Sequence, residues 1–228
     1  GVMAKDISLH TIGAVGHSGA TYKTLEYDGE AIARLPLDER LAITNMAVEM
    51  GAKAGLMRPD SRVTEYLSSI GIESSYTLFQ SDPDAVYCQE FSFDASALEP
   101  TLSCPHEVDN TAPVSSLQGE KINQAYLGSC TGGRYSDLAA AAKVLQGKKV
   151  HSGTRLLVSP ASQEIWLRAA REGVLATIAE AGGVIMAPTC GVCVGLHSGL
   201  LADDEVCISS TNRNFIGRKR KKKAKIYL

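Results

Sequence analysis

No apolar run in the 228 residues approaches the roughly 18–20 consecutive residues that a helix needs to cross a bilayer. The opening stretch GVMAKDISLH has no long apolar segment, so no secretory leader is expected. Motif-like text begins there at once, which predicts that the chain is a piece of a longer polypeptide. Cysteine is sparse: Cys88, Cys104, Cys130, Cys190, Cys193 and Cys207. Disulfide scaffolds are denser and shorter, so reduced thiols in a cytoplasmic protein are expected. There is no internal repeat. A second CxxC, common in structural zinc sites, is also missing, and Cys190 and Cys193 form the single such pair.

Positive charge is scarce outside one stretch. Seven of the 23 basic residues lie in RKRKKKAK, Arg218 to Lys225; the other 16 face 25 acids, a balance of about −9. An acidic body offers nucleic acid no broad positive surface. The basic run reads either as a nucleic-acid or targeting patch or as a solvated, disordered tail. At 44% hydrophobic and 21% charged, the rest is ordinary for a globular protein long enough to bury a sizeable core.

Along the first half, KDISLHTIGAVG predicts a short helix ending at glycine, and YKTLEYDGEA a strand that turns at Asp28-Gly29. The segment PLDERLAITNMAVEMGAKAGLMRPD predicts one helix, with Leu41, Ala42, Met46, Ala47 and Met50 at helical period and Gly51 as a C-cap or close-packing site. SRVTEYLSSIG predicts another helix, and residues 84–106 strand and loop. Pro113 to Gly119 reads as a linker. The second half alternates: strand INQAYLGSC, helix YSDLAAAAKVLQGK, strand TRLLVSP, one or two helices in SQEIWLRAAREGVLATIAEAGG, and strand VIMAP. That order argues an α/β fold with a parallel sheet covered by helices. Sites in such sheets lie at the carboxyl ends of strands, and Cys130 and Cys190 each follow one.

The CxxC itself leaves three chemistries open: disulfide exchange, zinc and iron–sulfur binding. His197 with Cys130 would complete a zinc set. The glycine-rich turns GSCTGG and TCGVCVG would let backbone amides approach cluster sulfurs. Ordinary buried thiols are the plain alternative. His17, His106 and His151 have no motif support and read as surface or packing residues.

Five ordered motifs, GVMAKDISLHTIGAVG, TNMAVEMGAKAGL, LGSCTGGRYSDL, PTCGVCVG and STNRNFIGR, together resemble the aconitase superfamily. The nearest branch is the large, catalytic subunits of 3-isopropylmalate dehydratase and homoaconitase. The resemblance implies a hydro-lyase acting on a small 2-hydroxy di- or tricarboxylate. It implies a [4Fe-4S] cluster on Cys130, Cys190 and Cys193, with one iron left open as Lewis acid. It gives Asn45 and Glu49, four apart on one helix face, to iron-bound water and substrate. Asn212 is given to the cluster region, and Arg213 and Arg218 to the substrate's carboxylates, which a guanidinium fork suits.

The implied fold is a set of three-layer α/β/α domains with mainly parallel sheets: residues 1–113, 114–218, and a basic tail at 219–228. The implied partner is a small subunit carrying the swivelling domain, in a heterodimer or heterotetramer, with no membrane and no nucleic acid. Gly132 stands where the family usually has Asn, Lys219 and Arg220 where it usually has Met-Gly. An N-terminal domain with an Asp-Ser-His motif is missing. A cluster-free RNA-binding protein or an inactive remnant is the alternative.

Overall fold

The computed structural model describes residues 1–73 and 76–228. Helix α1 (Ala4–Val15) opens on Asp6, whose carboxylate accepts from the Met3 N–H at 2.7 Å, and stops at Gly16, φ 82°. Strand β1 (Thr24–Tyr27) is followed by α2 (Glu30–Arg34) and α3 (Leu37–Met46). The long helix expected from residue 36 onward is not continuous. It ends at Met46, passes into a 3₁₀ turn over Ala47–Met50, and stops at Gly51 in the left-handed region, φ 83°. Residues Ala54–Met57 then form β2, parallel to β1. Alanine, leucine and methionine favour helix locally, but tertiary packing overrides them: a Cβ at Gly55 would stand 2.9 Å from the Ala47 Cβ.

Helix α4 (Ser61–Ser69) is capped by the Asp60 side chain. A long stretch follows with little regular structure before β3 (Thr101–Ser103), which pairs antiparallel with β4 (Thr111–Pro113). The rest is the α/β unit that the sequence predicts. Strand β5 (Gln124–Gly128) leads into a helical turn, α5 (Ser129–Gly132), and then α6 (Tyr135–Leu145). Next come β6 (Arg155–Ser159), α7 (Gln163–Arg171) and α8 (Val174–Glu180). These two helices are split at Gly173, φ 78°. Strand β7 is only Val184–Ile185, shorter than VIMAP suggests; α9 (Gly191–Val194) carries the CxxC, and β8 (Val206–Ser209) and β9 (Lys225–Tyr227) close the set.

These strands form one sheet, order β7-β6-β5-β8-β9, parallel throughout. From β5 the chain first adds strands on one side, then crosses to add β8 and β9 on the other. The strand order therefore reverses between β5 and β8. Ligands in open parallel sheets bind at such a reversal, outside the carboxyl ends.

The end of the basic run is not a free tail. Lys219 is 1% exposed, Ala224 is buried and Lys225–Tyr227 is an edge strand; Leu228 exchanges backbone hydrogen bonds with Ser103 at 3.0 Å each way. Charge alone suggested solvent, but alternate residues of this edge strand face the core. One hydrophobic cluster joins Leu9, Ile12, Met46 and Met50 to Tyr126, Val192, Cys207 and Ile226, on both sides of residue 113. A second, with Leu138, Val158, Ala169 and Ile178, packs α6, α7 and α8 onto β6. Among the described residues no helix is long and apolar enough to cross a membrane.

Candidate functional site

Four loops leave the carboxyl ends of the sheet, and the first and fourth of them meet α3. The first, after β5, is tightly constrained. Ser129 holds φ 79°, a conformation that costs a non-glycine residue energy and clusters at functional sites. A Cβ at Gly128 would stand 2.5 Å from the Ser159 carbonyl oxygen, and one at Gly132 would stand 2.4 Å from the Ser210 Cβ. Only glycine fits at either position. Ser210 does the ordering at Gly132: its hydroxyl donates toward the carbonyls of Gly132 (3.1 Å) and Gly128 (3.2 Å) and accepts from the Gly128 N–H (2.8 Å).

The second loop follows β6. The Ser159 hydroxyl donates to the Ala187 carbonyl at 2.8 Å and accepts from the Thr189 N–H at 3.3 Å, tying β6 to the approach to Cys190. The third loop holds Cys190 at the start of α9 and Cys193 within it. Thr189 Oγ1 accepts from the Gly191 N–H at 3.1 Å, and Gly195 ends the turn at φ 68°. His197 packs its ring against Gly191, where a Cβ would fall 2.0 Å from Nε2. That contact gives His197 a packing role.

The fourth loop follows β8 and carries Asn212 and Arg213. Lys5 of α1 donates to the carbonyls of Ser209 (3.2 Å) and Thr211 (2.8 Å), anchoring the loop's start. Asn45, in the last turn of α3, draws the first and fourth loops together. Its Oδ1 accepts from Asn212 Nδ2 at 2.8 Å, from the Thr131 hydroxyl at 2.6 Å and from the Cys130 thiol at 3.8 Å. Glu49 lies one 3₁₀ turn further on rather than in the same α-helix. Its carboxylate accepts from Arg213 Nε at 3.0 Å on each oxygen. Among the described residues the terminal nitrogens of Arg213 find no acceptor, and its side chain is 44% exposed. Arg218 turns toward the CxxC, donating to the Cys193 carbonyl at 3.1 Å and to Cys193 Sγ at 3.4 Å.

Seven of the eight residues singled out in the sequence are joined by these contacts, Asn45 to Cys130 and Asn212, Glu49 to Arg213, and Arg218 to Cys193; Cys190 makes no side-chain contact with the others among the described residues. Burial raises the proton affinity of Glu49, opposed by the hydrogen bond and charge of Arg213 and by the charge of Arg218. Burial also raises the pKa of the Tyr126 hydroxyl, and charge on Cys193, Cys190 and Cys130 adds to the rise. Among the described residues Asn212 Oδ1 is buried without a hydrogen-bond partner.

The three cysteines are free thiols; Cys130 and Cys190 are exposed and Cys193 is half-buried, unusual for a residue type that prefers the interior. They are too far apart to bind one ion. Among the described residues, the only three ligating side chains with all ligand atoms within 4.8 Å of one another are those of His17, Glu107 and Asp109. Cluster thiolates each bind a different iron, so three thiols need not meet at one point to hold a cluster. Cys207, the next nearest in sequence, is fully buried. The donor set fits an iron–sulfur group with three protein ligands.

The family model described as "Aconitase family (aconitate hydratase)" matches residues 1–121 and 113–228. The chain belongs to the aconitase family. It is 48% identical over 228 residues to "3-isopropylmalate dehydratase large subunit 2" of Archaeoglobus fulgidus, covering all of this chain and 55% of that protein. It is 47% identical over 227 residues to "3-isopropylmalate dehydratase large subunit" of Sulfurihydrogenibium sp., covering 52% of it. It is 45% identical over 228 residues to "Probable methanogen homoaconitase large subunit" of Methanothermobacter thermautotrophicus, covering 53%. The chain spans about half the length of the curated relatives it matches. The expected α/β fold with mainly parallel sheets agrees with this family.

Tyr126, Ser159 and Lys219 order the site from outside the motifs; Lys5 lies within GVMAKDISLHTIGAVG and Ser210 opens STNRNFIGR, but the motif text alone gives neither a role.

Proposed function

We propose that the chain is the cluster-bearing part of a hydro-lyase large subunit that removes and re-adds water on a small 2-hydroxy di- or tricarboxylate, of the isopropylmalate or homocitrate type. The observation that carries this reading is that Asn45 joins Cys130 to Asn212 while Glu49 orients Arg213, whose terminal nitrogens find no acceptor among the described residues. Cys130, Cys190 and Cys193 would hold a [4Fe-4S] cluster. When bound, its open iron supplies a Lewis acid for carbon–oxygen cleavage.

The chain's own residues do the rest. Arg213 offers its two terminal nitrogens to one substrate carboxylate, a bidentate and charge-assisted pairing. Glu49 holds Arg213 by Nε and so fixes the plane of that fork. Its carboxylate, pulled up by burial and down by two arginines, is suited to hold a proton from a hydroxyl. Asn45 Oδ1 is committed to Asn212 and Thr131, which fixes the side chain. Its amide nitrogen is left to donate to a substrate oxygen. Arg218 neutralises charge at Cys193. A small subunit would complete the pocket, in line with the "large subunit" names of the relatives.

Against nucleic-acid binding, the basic run is not one continuous patch: Lys219 is buried, Arg218 turns to Cys193, and Lys221 and Lys225 pair with Asp203 and Glu120.

Anaerobic reconstitution with iron and sulfide tests the reading. The chain should gain the broad visible absorption of thiolate-bound iron. Cys130→Ser, Cys190→Ser and Cys193→Ser should each fail to form the full cluster. A wild-type chain that stays colourless, or any serine variant that loads like wild type, would overturn it.

A further inference from the structure

The residues after the family's arginine break three local rules in a row. Lys219 is 1% exposed, yet among the described residues its ammonium meets no carboxylate. Its polar contact is Cys207 Sγ at 3.3 Å, and it lies over the Tyr126 ring, 5.0 Å from the centroid. Burying a cation without a counter-charge is costly. Arg220 takes φ 81°, where a side chain is strained. The Lys219 backbone also presses on the cysteine turn: its Cα is 2.8 Å from where a Cβ of Gly195 would stand. Costs like these persist where a local task retains them.

The contacts say what the task is. Arg218 donates to the carbonyl and sulfur of Cys193, and Arg220 Nε donates to the Gly195 carbonyl at 3.1 Å. Both guanidiniums therefore sit at the carboxyl end of α9, where carbonyls lack helical partners and cations are favoured. Between them Lys219 plunges into the core, where its ammonium meets Cys207 Sγ and lies over the Tyr126 ring. We infer that Lys219 and Arg220 are positioning residues for Cys193: the run is a clamp that fixes the CxxC turn, with Lys219 as its buried anchor. The inference rests on the cluster reading above for its purpose, not for its geometry.

Two substitutions separate this role from ordinary stabilisation. Lys219→Met keeps the length and removes the buried charge, so thermal stability should hold or rise. Arg220→Gly relieves the positive φ, so stability should again hold or rise. Both should nonetheless loosen the cysteine turn. In the unloaded chain, iodoacetamide should alkylate Cys193 several-fold faster than in wild type, read by peptide mass. In the reconstituted chain, an iron chelator should bleach the cluster several-fold faster. Wild-type rates in both variants would overturn the inference, as would a fall in Tm that tracks the faster rates. If the wild-type chain takes up no cluster, the cluster reading fails, and the alkylation rates alone decide the clamp.

Discussion

Arg213 donates from one nitrogen, Nε, to both carboxylate oxygens of Glu49, at 3.0 Å each, across 164 residues of sequence. Glu49 is buried and Arg213 is not, so the two are not equivalent. Removing the arginine strands a buried carboxylate; removing the carboxylate frees an arginine that can reach water.

Arg213→Ala should therefore destabilise the chain by about 1–3 kcal/mol at neutral pH, and Glu49→Gln by less. The arginine variant's deficit should shrink on acidification. Without its partner the Glu49 folded-state pKa rises further above the unfolded value, so stability is lost as pH climbs through it. Urea denaturation of both variants at acidic and neutral pH checks this. An equal deficit at both pH values would contradict it.

A second pair sets a broader pH profile. Lys5 and Asp137 line a cavity of about 650 Å³ between α1, α6 and the sheet. Burial drops Lys5 from 10.5 to about 7 and lifts Asp137 from 3.8 to about 6. For Asp137 the Arg134 N–H opposes the rise, Asp38 adds to it and Lys5 opposes it. The signs follow from proton counting. Between 3.8 and about 6 the folded chain keeps a proton on Asp137 that the unfolded chain releases, so stability falls as pH rises. Between about 7 and 10.5 the unfolded chain keeps the Lys5 proton and the folded chain does not, so stability rises. The contribution of the pair has its minimum near neutrality. Asp137→Asn should flatten the acidic limb and Lys5→Met the alkaline one. Unchanged profiles in both variants would refute the assignment.

Gly132 faces Ser210 with no room for a methyl group. Gly132→Ala should cost about 1–3 kcal/mol by overpacking. Ser210→Gly vacates the Cβ and hydroxyl positions but gives up three hydrogen bonds. The double variant should recover only part of the overpacking loss, because the Ser210 carbonyl oxygen also stands 2.4 Å from a Cβ at Gly132 and remains in place. Full recovery in melting experiments would mean that the backbone relaxes once the serine side chain is gone.

Much of this architecture is legible in residue order. Period-two and period-3.6 patterns announce β5, α6, β6 and the helices after it, because each buries a single face. The cysteines announce themselves by their place after strands. The first half misleads for a physical reason: helix formers such as Leu41, Ala42, Met46, Ala47 and Met50 recur through the stretch, and although Gly51 marks a possible end, the change to a 3₁₀ turn after Met46 and to β2 at Ala54 depends on packing. The basic run misleads because charge predicts solvent, whereas one lysine in it is held over Tyr126. The ordering roles of Ser159, Ser210 and Lys5 depend on loops meeting in space. No window of sequence contains them.

Asn45 contacts Cys130 and Asn212, residues 85 and 167 positions away along the chain. Loop-closure entropy must be overcome before contacts so distant can form, so they exist only once the intervening chain has folded back on itself. A partly folded chain presents the cysteines separately, each on its own unfinished loop. Anything that requires all three together can bind only the finished molecule, and by mass action it draws the folding equilibrium toward that state. If the proposed cluster is that ligand, the reconstituted chain should melt at a higher temperature than the unloaded one.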